Sequence, residues 1–154
     1  MTAMPYVKLL CIAALAAIGS FMAADGVSAA PNDLVFVASS ETPVQSLKTD
    51  EILNIYLGKQ RVANGFPVSA IDHSETETIK RTFLERVMRM THAQYREQLM
   101  RRRFQEGAVT PKFVTSADEA LNVARETPGA IAYVYESDAG TLRGLKVLAT
   151  IPAK

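Results

Sequence analysis

Apolar positions along the chain follow two rhythms. Mainly apolar runs at Leu34 to Ala38, Pro67 to Ile71, Ala130 to Tyr135 and Leu145 to Ile151, broken only by Ser69, Lys146 and Thr150, have the length and β-branched content of strands. Elsewhere apolar residues recur every three or four positions. Ile52, Ile55 and Tyr56 share one helical face, as do Ile79, Phe83, Val87 and Met90. Tyr95 and Leu99, with Met100 at their margin, mark a further helix, and Ala120, Leu121 and Ala124 another. Thr49 is placed to cap the first helix, and Gly58 fits the left-handed position just past its end. Ser74-x-x-Glu77, Thr91-x-x-Gln94 and Ser116-x-x-Glu119 each read as a capping box opening the next three. Asn64-Gly65 marks a turn, Pro128-Gly129 ends the last helix, and Gly140 to Gly144 suggests a hairpin-like return. Phe104 to Pro111 reads as irregular. The order predicts a β-α-β opening, three more helices and a closing antiparallel strand pair, hence a mixed α/β sheet flanked by helices.

The first 29 residues read differently. Lys8 is the only charge before an uncharged stretch from Leu9 to Ala24, and Val27-Ser28-Ala29 supplies the small residues of a cleavage site. This predicts an export signal over residues 1–29, cleaved after Ala29, and a periplasmic location. The stretch is interrupted by Gly19 and Ser20 and is shorter than the roughly 20 apolar residues of a membrane span. Cys11, with Lys8 three residues upstream, is poorly set for lipid attachment. Residues 30–154 then form a single cysteine-free domain, in which disulfides and thiolate metal sites are excluded.

Charge is balanced overall, at +1, but unevenly spread. Nine basic residues face three acidic ones between Lys80 and Lys112, whereas residues 30–79 carry seven acids and three bases. A basic helical segment raises the question of nucleic acid, but an exported chain with its arginines distributed round a helix points away from that partner.

Catalytic chemistry is sparsely provided for. The two histidines are His73 and His92, and no Gly-x-Ser-x-Gly elbow accompanies them, so the chain reads as a non-enzyme. Asp72, His73, Glu75 and Glu77 cluster in sequence, but acids are expected at a helix start for dipole reasons alone, and neither a metal nor a cofactor is called for. The segment from His73 to Thr78 is better suited to an anion. It opens a helix after a strand, where amides and the hydroxyls of Ser74, Thr76 and Thr78 can surround an oxyanion, although the same hydroxyls also serve as plain caps.

The residues also form an ordered series of phrases. Ser46-Leu47-Lys48-Thr49-Asp50-Glu51-Ile52 leads to Ile55-Tyr56-Leu57-Gly58-Lys59. Asn64-Gly65 and the strand Val68 to Asp72 follow, then Lys80 to Val87, His92 to Tyr95, Phe104 to Pro111, and Pro128-Gly129-Ala130-Ile131-Ala132-Tyr133-Val134. In this order they resemble the substrate-binding proteins of phosphate ABC importers, and in particular short single-lobe relatives. The resemblance implies one lobe of a type 2 periplasmic-binding-protein fold, with phosphate or a related oxyanion as ligand. It also implies an inner-membrane permease or sensor kinase as partner, and leaves open a homodimer that rebuilds a two-sided cleft. The contacts it suggests are Ser39 and Ser40 at the first strand end, and Ser74, Thr76, Thr78 and Lys80 at the helix start. Where the family presents a Gly-Ser phosphate loop this chain has Thr76-Glu77-Thr78, placing a carboxylate where a serine is expected. The alternative from another class is a periplasmic interaction or sensor-input module working through the basic helices, without a small ligand.

Overall fold

The computed structural model describes residues 32–140 and 142–153. The expected export signal, its cleavage point and Cys11 lie outside the described residues. Among these, no helix is long and apolar enough to cross a membrane.

The chain runs through β1 (Leu34–Ser39), α1 (Thr49–Tyr56), a small hairpin of β2 (Val62–Ala63) and β3 (Phe66–Pro67), and β4 (Ser69–His73). Then follow α2 (Thr78–Phe83), which continues into a π-helical turn at Leu84–Met88, α3 (His92–Glu106), β5 (Lys112–Val114) and α4 (Ala117–Glu126). It closes with β6 (Ala130–Tyr135), a 3-10 turn at Glu136–Asp138 and β7 (Leu145–Ile151). Five strands form one sheet in the order β5-β4-β6-β1-β7. β4 pairs parallel with β5 and β6, whereas β1 pairs antiparallel with both β6 and β7. The sheet is therefore mixed, with β1 alone reversed.

Two expectations are corrected here. The predicted closing hairpin does not exist, because β1 lies between β6 and β7 and takes the hydrogen bonds of both. β5 was unforeseen, since Lys112-Phe113-Val114 is too short to show a period and only its last residue is buried.

The core lies mainly on the β1, β4 and β6 side chains and the helices over them. Phe36, Tyr56, Phe83 and Tyr133 form one aromatic cluster, in which Phe83 and Tyr133 stack with centroids 4.3 Å apart. α4 covers β6, β1 and β4 with Ala120, Leu121 and Ala124. The connection from β4 to β5 runs one way across the sheet and that from β5 to β6 runs back. Right-handed crossovers in opposite directions place α2–α3 and α4 on opposite faces.

Local chemistry sets the helix ends. Asn64 (φ 50°) and Gly65 (φ 77°) are both left-handed, which is the backbone of a two-residue hairpin turn. At α3 the capping box forms in both directions, with Thr91 Oγ1 accepting from the Gln94 N–H and Gln94 Oε1 accepting from the Thr91 N–H. At α1 the cap position is Lys48, one residue before the expected Thr49, and its N–H donates to Glu51. The Ser74 box is not made: α2 begins at Thr78 with Glu77 as its cap residue, and Ser74 Oγ turns to Thr76 instead. The π turn buries Leu84 and Met88 beside the expected Val87 and leaves the expected Met90 only partly covered. Arg89 at φ 53° then stops it.

Candidate functional site

In open α/β sheets, a crevice forms at the carboxyl ends of adjacent parallel strands whose connections leave to opposite faces. Here those strands are β4, which leads out to β5, and β6, which leads the other way to β7. The Ser74 N–H donates to the Val114 carbonyl at 2.9 Å, fastening the exits of β4 and β5 together. From this point Ser74 to Glu77 form a turn closed by the Glu77 N–H on the Ser74 carbonyl at 3.1 Å. Ser74 Oγ and Thr76 Oγ1 lie 3.0 Å apart on its outside, Thr76 and Thr78 are exposed, and no side chain caps α2.

The entrance to α4, at the exit of β5, is already filled. Ser116 Oγ accepts from the Glu119 N–H at 3.1 Å, and Glu119 Oε2 accepts from the N–H of Thr115 at 2.8 Å and from its hydroxyl at 3.2 Å. The backbone N–H of Thr115 is the main reason the Glu119 carboxyl sits below its usual pKa. Its second carboxylate bond goes to Thr115 and not back to Ser116, so this box is made in one direction only.

Behind the crevice sits a buried polar network centred on Asp72. Its carboxylate accepts from the Lys80 ammonium, from the Tyr95 hydroxyl at 2.9 Å, from the Tyr133 hydroxyl at 2.6 Å and from the His73 N–H at 2.8 Å. Removal from water pushes both phenols well above their usual pKa, with the Asp72 charge adding to it. Removal from water also lowers Lys80, against the pull of Asp72. His73 is buried too; its Nε2 donates to the Tyr133 carbonyl at 2.9 Å, and its Nδ1 has no partner.

The structure does not bring the six expected contacts together. Ser74, Thr76 and Thr78 share the turn at the end of β4. Ser39 and Ser40 lie at the opposite edge, because β1 runs against its neighbours. Ser39 is level with Ala130 and so with Ser69, four residues and about 13 Å of strand away from His73. There Ser39 Oγ accepts from the Glu41 N–H and the Ser40 N–H reaches the Gly144 carbonyl. Lys80, expected to face an anion, is 1% exposed and committed to Asp72. Asp72, Tyr95 and Tyr133 escaped notice as a unit. The one signal was an acid ending the apolar strand Ala70-Ile71-Asp72, with a lysine eight residues on.

No protein-family model and no curated protein matches the chain. Among solved structures, an ABC-type phosphate transport receptor from Vibrio cholerae superposes with a TM-score of 0.57 at 12% identity, over 75% of this chain and 44% of that one. A phosphate ABC transporter substrate-binding protein with bound phosphate from Clostridium perfringens gives 0.59 at 16% identity, over 75% and 43%. The fold is that of the phosphate receptors. PstS from Borrelia burgdorferi gives 0.57 at 17% identity, over 75% of this chain and 46% of its own. The chain therefore carries the phosphate-receptor fold over less than half the length of these proteins.

Proposed function

We propose that this chain is an exported, non-catalytic solute-binding protein that recognises phosphate or a similar oxyanion at the Ser74–Thr78 turn. The observation that carries the reading is the position of that turn. It is an uncapped, hydroxyl-bearing strand-to-helix junction at the crevice of a phosphate-receptor fold. An inner-membrane permease or sensor kinase is the partner this role calls for.

Affinity is expected to be low for two physical reasons. One lobe offers contacts on one side only, leaving the anion open to water. Glu77 also stands at the mouth, where an ionised carboxylate about 4 Å from the ligand costs roughly 4 kcal/mol per unit charge at an effective dielectric of 20. Lys80 does not offset this, because its charge is taken up by Asp72. Isothermal titration with phosphate tests the reading. Weak, saturable binding is expected, lost in Thr76→Ala and tightened in Glu77→Ser. The absence of phosphate heat in both the native protein and Glu77→Ser would reject it.

A further inference from the structure

Beside the Asp72 network, α3 and β5 enclose a groove of about 290 Å³ that phosphate recognition does not use. Its walls are apolar. Leu99 is buried, while Met100 and Phe113 stand 45% and 52% exposed, and Tyr95 forms the base with Lys80. The Lys80 ammonium sits 4.1 Å from the Tyr95 ring centre and 5.9 Å from that of Phe113, but its charge is met by Asp72, so the floor adds no free charge.

The mouth carries the free positive charge. Within the Arg101-Arg102-Arg103 run, Arg101 bonds Glu97 at 2.7 Å and Arg102 bonds Glu106 at 2.8 Å, each one helical turn away. Arg103 lines the groove and has no hydrogen bond or ion pair among the described residues. Arg96 meets Glu75 at the rim, at 3.5 Å with both side chains well exposed. A pair this exposed gains little, so it yields readily to a better acceptor. The arrangement is an apolar trough ending at a planar, uncommitted guanidinium, and a guanidinium binds a carboxylate through two parallel hydrogen bonds.

We propose that this groove binds a small apolar monocarboxylate. The carboxylate rests on Arg103 and the hydrocarbon body covers Leu99, Met100 and Phe113. The volume lies just below the roughly 300–1,000 Å³ range of ligand pockets, which suits a medium chain or a single ring and excludes long acyl chains. Bulk phosphate has no apolar body to cover these walls, so this site and the Ser74–Thr78 turn are independent.

Octanoate is the probe, titrated into the isotope-labelled protein and followed by amide chemical shifts. Saturable shifts are expected over Leu99 to Arg103 and at Phe113, unchanged by millimolar phosphate. Arg103→Ala should weaken octanoate by at least about tenfold, since even one of the two charge-assisted hydrogen bonds is worth that much. Octanol, which has the same tail without the charge, should bind the native protein as weakly as octanoate binds that variant. Met100→Glu, on an exposed position, should abolish binding without altering the melting temperature. Three results would overturn the proposal: no saturable shifts, equal binding of octanol and octanoate, or octanoate binding indifferent to Arg103. Concentration-dependent dimerisation that Arg103→Ala abolishes would reassign the groove to a second copy of this chain. The phosphate test reads heat and depends on Thr76 and Glu77, which lie outside this groove, so failure here leaves that reading intact, and the reverse.

Discussion

Replacing Asp72 by alanine should damage the fold far more than replacing its partner Lys80 by methionine. In Asp72→Ala the Lys80 ammonium stays enclosed by the rings of Tyr95, Phe83 and Phe113 with no anion to meet it. The hydroxyls of Tyr95 and Tyr133 and the His73 N–H lose an acceptor at the same time. Removing one member of a buried pair costs about 3–5 kcal/mol, which is a large part of the roughly 5–15 kcal/mol that holds a domain folded. In Lys80→Met the carboxylate keeps its three other donors, so the loss is nearer one charged hydrogen bond, about 1.5–3 kcal/mol, and methionine refills the apolar stem's place. Urea unfolding at pH 7, followed by far-ultraviolet circular dichroism, reads both costs. The asymmetry follows from the count of donors around each charge. Equal costs, or a greater cost for Lys80→Met, would refute the picture of Asp72 as the hub.

The same network sets the alkaline limit. The phenols of Tyr56, Tyr95 and Tyr133 are all raised in the folded protein, so their stabilisation is complete below the unfolded tyrosine pKa of about 10 and is lost as pH rises beyond it. Lys80 acts oppositely: its lowered pKa means stability rises with pH up to the unfolded lysine value of about 10.4. Three phenols outweigh one ammonium, so unfolding should set in above about pH 10, with tyrosinate absorbance at these residues appearing together with loss of helix signal. Tyrosinate formation at full helix content would contradict this. Gly129→Ala should be more harmful than Gly65→Ala. Both glycines are left-handed, which costs alanine about 1–2 kcal/mol, but a Cβ at Gly129 would stand 2.3 Å from the Pro67 carbonyl whereas Gly65 has open space. Equal midpoints in urea for the two variants would show that the Pro67 contact yields freely.

What the sequence disclosed and what it hid divide along physical lines. Ala130 to Tyr135 and Leu145 to Ile151 were readable to the residue, because a short, mainly apolar run that opens after a glycine has few other conformations. The Thr91 box was readable because both of its hydrogen bonds are local. Strand direction was not, since a period of two is the same read either way. That is why β1 was not foreseen to run antiparallel between β6 and β7, and why Ser39 and Ser40 were grouped with Ser74. At Ser74 two local options compete, and the hydroxyl pairing with Thr76 displaced the cap. Lys80 was misplaced for a different reason. A lysine's burial depends on its partner, and three of the four groups around Asp72 lie between 8 and 61 positions from it. The turn at Ser74 to Thr78 was legible because its hydroxyls are adjacent. The α3–β5 groove was not, because Phe113 sits on a strand that no pattern announced.

The reversed first strand also dictates when this molecule can close. Leu34 pairs with Tyr135 on one side and Ile151 on the other, so both neighbours of the earliest strand are synthesised last. A partly made chain can form helices and the β4–β5 pair, but Val35 and Phe36 gain no sheet neighbour until β6 is present. Closure across about a hundred residues is slow, so the centre of the sheet forms only after contacts of high sequence separation have been made.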